Sequence, residues 1–213
     1  MFWISGPPGA GKSTSAQLLA RNNGYVYYEA DCFGMTVNPF VDPNVEEPTL
    51  AIAKQTPLKG VSKEVVSALK SATEVWKQME QGIFDKDAIE KECLPFYEVM
   101  GKDITKQFKR LGGNWAIAQV IFSRNQRDFL RKVIGPRLGF IVLNMTKECQ
   151  LKRVKARHGD AMAEAFMGII TGFSDLCEPA GEDEENAYNV YITEDMSPQD
   201  VNDSILDIVK KIG

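Results

Sequence analysis

A glycine-rich segment near the N-terminus contains the residues best suited to chemistry in this sequence. It reads GPPGAGKST and matches the pattern G-x-x-x-x-G-K-[ST] from Gly6 to Ser13. Glycines are needed there because backbone N–H groups must approach phosphate oxygens without an intervening Cβ atom. The pattern predicts that the Lys12 ammonium meets the β and γ phosphates of a nucleotide and that the Ser13 hydroxyl binds magnesium. The predicted nucleotide-binding residues are Gly6, Gly9, Ala10, Gly11, Lys12, Ser13 and Thr14.

Short strands and the helices between them must position this segment. Phe2–Ser5 is a predicted buried strand directly before it, and STSAQLLARN after it has the alanine and leucine spacing of a helix packed on a sheet. Further predicted strands are Tyr25–Tyr28, WAIAQVIF, FIVLNM and NVYIT. Strands that alternate with helices favour an α/β fold, here a five-stranded parallel sheet with helices on both faces. Ligands bind at the carboxyl ends of such strands, where the glycine-rich segment and Asp31 both fall.

The remaining sequence indicates one domain over residues 1–213 with an addition to the sheet. A helical insert is expected at about 60–111, starting with SKEVVSALKSATEVWKQMEQ and continuing with one or two helices from Asp85 to Leu111. Before it, residues 34–59 are rich in Pro, Asn and polar side chains and predict a long loop. Aromatic residues with the spacing of core positions, rather than of a base-stacking platform, are Trp76, Trp115, Phe122 and Phe129.

Composition and charge argue against several classes of function. The net charge is −4, and basic residues are scattered among acidic ones, so we expect no nucleic-acid partner. No apolar run approaches a membrane span, and the N-terminus lacks the basic start of a secretory signal, so we expect no membrane partner. The four cysteines have no CxxC pairing, which is typical of reduced thiols in a cytoplasmic protein. His158 is the only histidine, which argues against a Ser-His-Asp catalytic mechanism.

Other nucleotide-hydrolase motifs are missing from the sequence. A GTPase is expected to carry DxxG and NKxD sequences, and neither is present in usable form. A motor or AAA-type ATPase usually has an apolar strand that ends in acidic residues, whereas WAIAQVIF is followed by Ser123 and Arg124. The glycine-rich segment, known as a P-loop, therefore favours the branch of small-molecule kinases.

Three later segments resemble the gluconate kinase (gluconokinase) family within this branch. FSRNQRDFLR resembles the family's CSALKxxYRDxLR segment, LKRVKARHGD resembles its SRLxxRxxH lid helix, and GFSDLCEP resembles the FExLEEP run that follows. With the P-loop and Asp31, these matches span most of the chain outside the insert. The resemblance implies the P-loop NTPase fold of the small-kinase type, ATP and Mg²⁺ as cofactors, and a lid at about 158–180.

The resemblance also implies roles for individual side chains. Arg153 and Arg157 resemble lid arginines that contact the ATP phosphates, and Arg127 and Arg131 fall on arginines near the acceptor substrate. Asp31 falls on the aspartate of the family's GD turn, where a carboxylate orients the acceptor hydroxyl or accepts its proton. Arginines four residues apart share one helix face and can neutralise charge on the transferring phosphoryl group. The predicted catalytic residues are Lys12, Asp31, Arg153 and Arg157, and the predicted acceptor-binding residues are Asp31, Arg127 and Arg131.

The same residues also allow simpler interpretations. Arg127 and Arg131 can belong to a solvated helix face, and Asp31 can cap its own turn. As a charge run, Glu182–Glu185 is expected to be solvated surface. His158 is expected to be a helix-end residue favoured by the helix dipole.

The implied function is ATP-dependent transfer of the γ-phosphoryl group to a hydroxyl of a small molecule, with a sugar acid such as gluconate as one candidate. The family's HPxxN sequence is replaced by CFGMTVNPF, its DxDRxPWL segment has no counterpart, and Asp160 occupies the lid histidine position, so the acceptor stays open. One alternative is a nucleoside or nucleoside monophosphate kinase on the same fold. Another is a non-catalytic nucleotide-binding interaction protein whose insert contacts a partner. The same helical surface makes a homodimer conceivable.

Overall fold

Five parallel strands form one sheet, and their order determines which loops meet at its edge. The structure, a computed structural model, describes residues 1–45, 62–161 and 167–212. The strands are β1 (Phe2–Ser5), β2 (Val26–Glu29), β3 (Trp115–Ala118), β4 (Gly139–Met145) and β5 (Ala187–Ile192). They lie in the order β2-β3-β1-β4-β5, and every pairing is parallel. The predicted five-stranded parallel sheet is therefore confirmed.

Eight helices in the described residues connect or follow the strands. They are α1 (Lys12–Asn23), α2 (Asp31–Gly34), α3 (Lys63–Glu80), α4 (Lys86–Leu111), α5 (Arg124–Ile134), α6 (Lys147–His158), α7 (Met167–Leu176) and α8 (Pro198–Ile212). Side-chain oxygens of Ser62, Asp85 and Ser123 accept backbone N–H bonds at the starts of α3, α4 and α5, which explains where these helices begin. Where one or two helices were expected, α4 is a single helix that continues through Pro95. No helix in these described ranges has the length and apolarity that a membrane crossing requires.

The third strand is shorter than the sequence WAIAQVIF predicts. β3 ends at Ala118, although most of the chain from there to Phe122 is buried. Past the strand, the Ile121 N–H donates to Ser5 Oγ at 2.7 Å and the Phe122 N–H donates to Gln126 Oε1 at 2.9 Å. The apolar pattern predicted burial correctly. The predicted strand was too long. Beyond Ala118, backbone N–H groups bond to side-chain oxygens instead of to a neighbouring strand.

Alternating side chains divide the sheet into two packed faces. On one face, Ile4, Ala116 and Leu143 pack in a cluster with residues of α1 and α8. On the other face, Trp3 and Trp115 share a cluster with residues of α3, α4 and α5. The division follows from the pleat of the strands, in which successive side chains point to opposite faces. Helices therefore cover both faces, as the sequence predicts.

The predicted insert contributes to the main core. Val75 of α3 and Phe96 of α4 belong to the same buried cluster as the large aromatic residues of the sheet. The division into an insert and a lid remains a prediction. Residues 46–61, which include much of the expected long loop, lie outside the described residues, as do residues 162–166 of the expected lid.

The aromatic residues predicted in the core lie there. Trp115 is fully buried and stacks on Tyr28 with ring centroids 5.9 Å apart. Phe122 is buried as well, and the partly buried members packed against the same cluster include Trp76 and Phe129. These side chains stabilise the fold by removing apolar area from water, so the prediction of their core role is confirmed.

A glycine lets α7 pack closely on the insert. A Cβ atom at Gly172 would lie 2.2 Å from Cε2 of Phe84, which precedes α4. The Phe84 ring also contacts the Phe173 ring, with centroids 6.0 Å apart, so it has little freedom to move away. In the same helix, a Cβ atom at Gly168 would meet no atom of the described residues within 4 Å.

We predict that Gly172→Ala lowers the free energy of unfolding by about 1–3 kcal/mol, because the added methyl group overpacks the contact with Phe84. Gly168→Ala is the matched control, and helix propensity should leave its stability unchanged or raise it by up to about 1 kcal/mol. Urea unfolding followed by circular dichroism measures both variants. Equal effects at the two positions would contradict the packing argument.

Candidate functional site

The glycine-rich segment forms a tight loop between β1 and α1. Gly6, Gly9 and Gly11 have φ angles of 142°, 82° and 91°, a region that side chains disfavour. A Cβ atom at Gly6 would lie 2.5 Å from the carbonyl oxygen of Leu143 in β4, so only glycine fits. The loop leads directly into α1, whose first N–H groups and positive dipole end form an anion-binding site.

Lys12, the first residue of α1, lies where the phosphates of a nucleotide are expected. Its Nζ donates to the Pro7 carbonyl oxygen at 3.1 Å. Burial lowers the pKa of Lys12, and the negative charges of Asp31 and Glu29 act in the opposite direction. A desolvated ammonium is stabilised by added negative charge, so phosphate binding would favour its protonated form.

Two carboxylates, Glu29 and Asp31, lie two residues apart at the carboxyl end of β2. Glu29, the last residue of β2, is 3% exposed and accepts a hydrogen bond from the Tyr27 hydroxyl at 2.6 Å. Burial raises the pKa of Glu29 to about 7 and the charge of Asp31 adds to the effect, whereas Tyr27, Ser13 and Lys12 act against it. The side-chain interaction with Ser13 shows that Glu29 lies beside the P-loop hydroxyl.

Asp31 is the first residue of α2, and its side chain is accessible to solvent. The surrounding protein still desolvates the carboxylate, which raises its pKa, while the charge of Lys12 and an interaction with the Gln119 side chain lower it. The cap position of α2 is Ala30, which has no side chain able to cap the helix, so Asp31 does not lie at the usual capping position. We refer to Lys12, Ser13, Glu29 and Asp31 together as the polar centre.

Tyr97 of α4 and Cys177, just after α7, lie near enough to the polar centre to interact with its charges. Tyr97 of α4 is buried, and this burial raises its pKa well above the ordinary value, with a contribution from the charge of Asp31. Burial also raises the pKa of the Cys177 thiol to about 12, with Lys12 acting against it. The sequence does not indicate that Tyr97 and Cys177 lie here. Glu29 had a signal, because it and Asp31 are two acidic residues around a strand end.

The polar centre fits a nucleotide with magnesium. The Ser13 hydroxyl and the Glu29 carboxylate offer the oxygen atoms that Mg²⁺ prefers. No group of three His, Cys, Asp or Glu side chains that could hold a metal ion occurs among the residues that the structure describes. Magnesium commonly binds to one or two protein groups and completes its shell with phosphates and water, so this donor set is sufficient.

The helix that carries the predicted lid arginines lies against the P-loop. The Gln150 side chain on α6 donates to the Pro8 carbonyl oxygen at 2.8 Å. On the same helix, Arg153 Nη2 donates to the Met196 carbonyl oxygen at 2.9 Å, and Arg157 is exposed one turn further on. Their contact with ATP phosphates stays a prediction.

Arg127 and Arg131 of α5 are held inside the protein. Arg127 is fully buried, and its Nε and Nη2 each donate to the Glu184 carboxylate at 2.8 Å. Arg127 also donates to the carbonyl oxygens of Glu178 and Pro179, at 3.0 Å and 3.2 Å. Arg131 donates to Glu184 at 3.2 Å through both terminal nitrogens. The solvated-face alternative is therefore wrong for Arg127, and the ion pairs also oppose the predicted role of both arginines in acceptor binding.

Glu184 corrects the expectation for the acidic run as well. Glu182–Glu185 was expected to be solvated, but Glu184 is 5% exposed because it pairs with two arginines. Burial by itself would raise the pKa of Glu184, yet hydrogen bonds and charge from Arg127 and Arg131 outweigh it and hold the pKa below its ordinary value. The pairs join the segment after α7 to α5.

The chain places a P-loop directly after the central strand of a parallel sheet with helices on both faces, and this arrangement is a P-loop α/β fold. No family model matches the sequence, and no curated protein matches it. Among solved structures, a sugar kinase from Janibacter sp. HTCC2649 is similar, with 19% identity, a TM-score of 0.61 and coverage of 98% of this chain and 93% of that chain.

A gluconokinase from Sinorhizobium meliloti 1021 has 15% identity and a TM-score of 0.60, with 99% of this chain and 94% of that chain covered. TT1252 from Thermus thermophilus has 18% identity and a TM-score of 0.53, with 100% of this chain and 97% of that chain covered. At these identities the likeness shows the fold. The resemblance to P-loop kinases, including a gluconokinase, is confirmed at that level.

We predict that Glu184→Gln destabilises the protein by about 3–5 kcal/mol at pH 7, because it leaves the buried Arg127 without its carboxylate. Since folding lowers the pKa of Glu184, its stabilising contribution is present above the ordinary glutamate pKa and is lost as the pH falls through the lower folded value. The stability difference between wild type and variant should therefore shrink in acid. Urea unfolding at several pH values measures this.

Asp183→Asn is the control for the same segment. Asp183 pairs with Arg124 at 2.9 Å on the surface, where ion pairs contribute little. We expect little change in stability from this variant. A Glu184→Gln protein as stable as Asp183→Asn would contradict the buried-pair interpretation.

Proposed function

We propose that the protein is an ATP-dependent kinase that transfers the γ-phosphoryl group to a hydroxyl of a small molecule. The observation that carries the proposal is the polar centre, in which Lys12 and Ser13 of the P-loop interact with Glu29 and Asp31 at the same edge of the sheet. A phosphoryl donor on the P-loop would therefore lie next to an acceptor at Asp31. The names of two fold neighbours, a sugar kinase and a gluconokinase, support a kinase.

The donor side of the reaction follows from the P-loop. Its backbone N–H groups and the first turn of α1 would hold the phosphates, and the Lys12 ammonium would offset charge on the β and γ phosphates. When bound at Ser13, magnesium would neutralise further phosphate charge. Arg153 and Arg157 would add positive charge from α6, which matters most when charge develops on the transferring group.

The acceptor side is assigned to Asp31. Asp31 is an exposed residue, and the raised pKa of its desolvated carboxylate lies closer to the operating pH, which suits a group that accepts a proton from a hydroxyl. The hydroxyl oxygen would then attack the γ phosphorus while ADP leaves on the opposite side. In a loose transition state the proton leaves late, so orienting the hydroxyl is a large part of this role.

The charges near the polar centre favour an uncharged acceptor over a sugar acid. Arg127 and Arg131 were predicted to bind the acceptor, but Glu184 pairs with both, so neither cation is left to balance an anionic acceptor. Glu29 and Asp31 would repel a second anion beside the phosphates. A polyol or a nucleoside offers hydroxyl donors to Asp31 without adding negative charge, so we favour these over gluconate and over nucleoside monophosphates.

We predict that the protein releases ADP from ATP and Mg²⁺ with at least one uncharged polyol or nucleoside, and more slowly with gluconate or nucleoside monophosphates. Lys12→Ala should remove nearly all transfer while leaving the circular dichroism spectrum unchanged, because the lysine acts on phosphate charge. A coupled ADP assay over an acceptor panel measures this. Gluconate as the best acceptor would refute the charge argument. Tight ATP binding without turnover on any acceptor would favour the non-catalytic alternative.

We predict that Asp31→Asn keeps the affinity for ATP within a few-fold but lowers the transfer rate by about a hundredfold to ten-thousandfold, because the amide removes the carboxylate at similar size. Single-turnover kinetics and the melting temperature should be measured on one preparation. A loss of melting temperature with an unchanged rate would remove Asp31 from the mechanism.

A further inference from the structure

A buried glutamine on α6 binds one carbonyl group of the P-loop. Gln150 is 1% exposed, and its Nε2 donates to the Pro8 carbonyl oxygen at 2.8 Å. One turn further along α6, Val154 lies against the same part of the loop, because a Cβ atom at Gly9 would be 3.2 Å from Val154 Cγ2. Two side chains of α6 therefore lie against the peptide that joins Pro8 to Gly9.

The hydrogen bond from Gln150 determines the direction of the Gly9 N–H. The Pro8–Gly9 peptide is planar and trans, so its carbonyl oxygen and its N–H point in opposite directions. With the oxygen turned toward Gln150, the N–H points away from α6. Gly9 is exposed, and its N–H has no hydrogen-bond partner among the residues that the structure describes. The N–H is therefore available to a phosphate oxygen, whereas a carbonyl oxygen in its place would repel the anion.

A hydroxyl group on α7 sets the orientation of the Gln150 amide. A carbonyl oxygen only accepts hydrogen bonds, so the nitrogen of this amide has to face Pro8. The Ser174 hydroxyl donates to the other end of the amide, Gln150 Oε1. Hydrogen bonds therefore run from α7 through Gln150 to the P-loop. The same helix packs on Phe84 through Gly172.

We propose that Gln150 positions the Pro8–Gly9 peptide for phosphate binding and that Ser174 keeps Gln150 in the orientation this requires. Without the amide donor the peptide is free to rotate, and a phosphate has to order it on binding, which lowers affinity. Although no residue of α7 is predicted to contact phosphate, this helix then contributes to nucleotide affinity. The inference rests on the proposed function, since it assumes a nucleotide at the P-loop. Gln150 is a positioning residue because it acts through the Gly9 N–H.

Isothermal titration calorimetry with ATP and Mg²⁺ tests the inference without an acceptor. Gln150→Met keeps an unbranched side chain with good helix propensity and removes the amide. It should weaken ATP affinity by about 10–100-fold, the effect of losing a well-directed hydrogen bond to a charged group. Ser174→Ala leaves the amide in place and should cost only about 2–10-fold. Added to Gln150→Met, it should cause little further loss, because both changes act on one coupled interaction.

Leu151→Ala is the control for loosened packing between α6 and α7. Leu151 packs in a cluster with Val154 and Ile170. The variant should lower the melting temperature but keep ATP affinity within a few-fold. Ser174→Ala covers the case in which Gln150→Met folds poorly, because it leaves Gln150 itself in place.

Gln150→Glu provides a readout that a purely structural role would not change. Burial raises the pKa of a carboxyl group at this position, so the group is protonated in acid and its O–H can then donate to Pro8. Once ionised, the carboxylate only accepts and repels both the carbonyl oxygen and ATP. Gln150→Glu should therefore bind ATP more tightly than Gln150→Met in acid and more weakly at neutral pH. Relief of charge repulsion alone would bring the two variants to equal affinity in acid without this reversal.

Full ATP affinity in Gln150→Met would overturn the inference, as would an equal loss in Leu151→Ala or the absence of the reversal in Gln150→Glu. Additive losses in the double variant would contradict the role of Ser174. If the wild-type protein binds no ATP, the nucleotide-binding assignment fails and this inference fails with it. If ATP affinity depends on Gln150 and Ser174 as expected but no acceptor is phosphorylated, the kinase proposal fails while the role of Gln150 stands.

Discussion

The absence of a side chain at Gly6 allows the P-loop to lie against the backbone of Leu143 at the centre of the sheet. A Cβ atom would be 2.5 Å from the Leu143 carbonyl oxygen, so a side chain at Gly6 would have to push β1 and β4 apart. β1 lies between β3 and β4, and the loop therefore leaves the middle of the sheet with other strand ends on both sides. The position of α1 directly after the P-loop, and the nearness of Glu29 and Asp31, depend on this contact.

Buried charge has two different arrangements in this protein. Around Arg127 the charges are matched, since Glu184 accepts hydrogen bonds from two arginines and its pKa is held low. In the polar centre they are unmatched, because two acids with raised pKa values lie beside one lysine with a lowered pKa. Matched buried pairs resist separation, whereas desolvated groups with perturbed pKa values gain most from a charged ligand. The first arrangement suits structure, and the second suits binding and phosphoryl transfer.

The surroundings of the polar centre combine elements that lie far apart in the chain. Tyr97 comes from the long helix α4, and Cys177 comes from the segment that follows α7, yet both interact with the polar centre. Gly172 allows α7 to pack on Phe84, so α7 contacts the residues just before α4. In the proposed kinase, the choice of acceptor would therefore depend on packing between helices more than on the P-loop.

The sequence by itself determined the P-loop, the five parallel strands, the aromatic core and Asp31 at a strand end. These features depend on short-range patterns, because glycine spacing, strand alternation and helix periodicity are local properties of the chain. Only the tertiary structure decided that β3 ends at Ala118 and that Arg127 forms a buried ion pair with Glu184. The same holds for the position of Glu29 beside Ser13. Arg127 and Glu184 are 57 residues apart in the sequence, and such a pair has no local signal. A side chain's partner depends on which strands and helices become neighbours, and that choice is made by packing over the whole core.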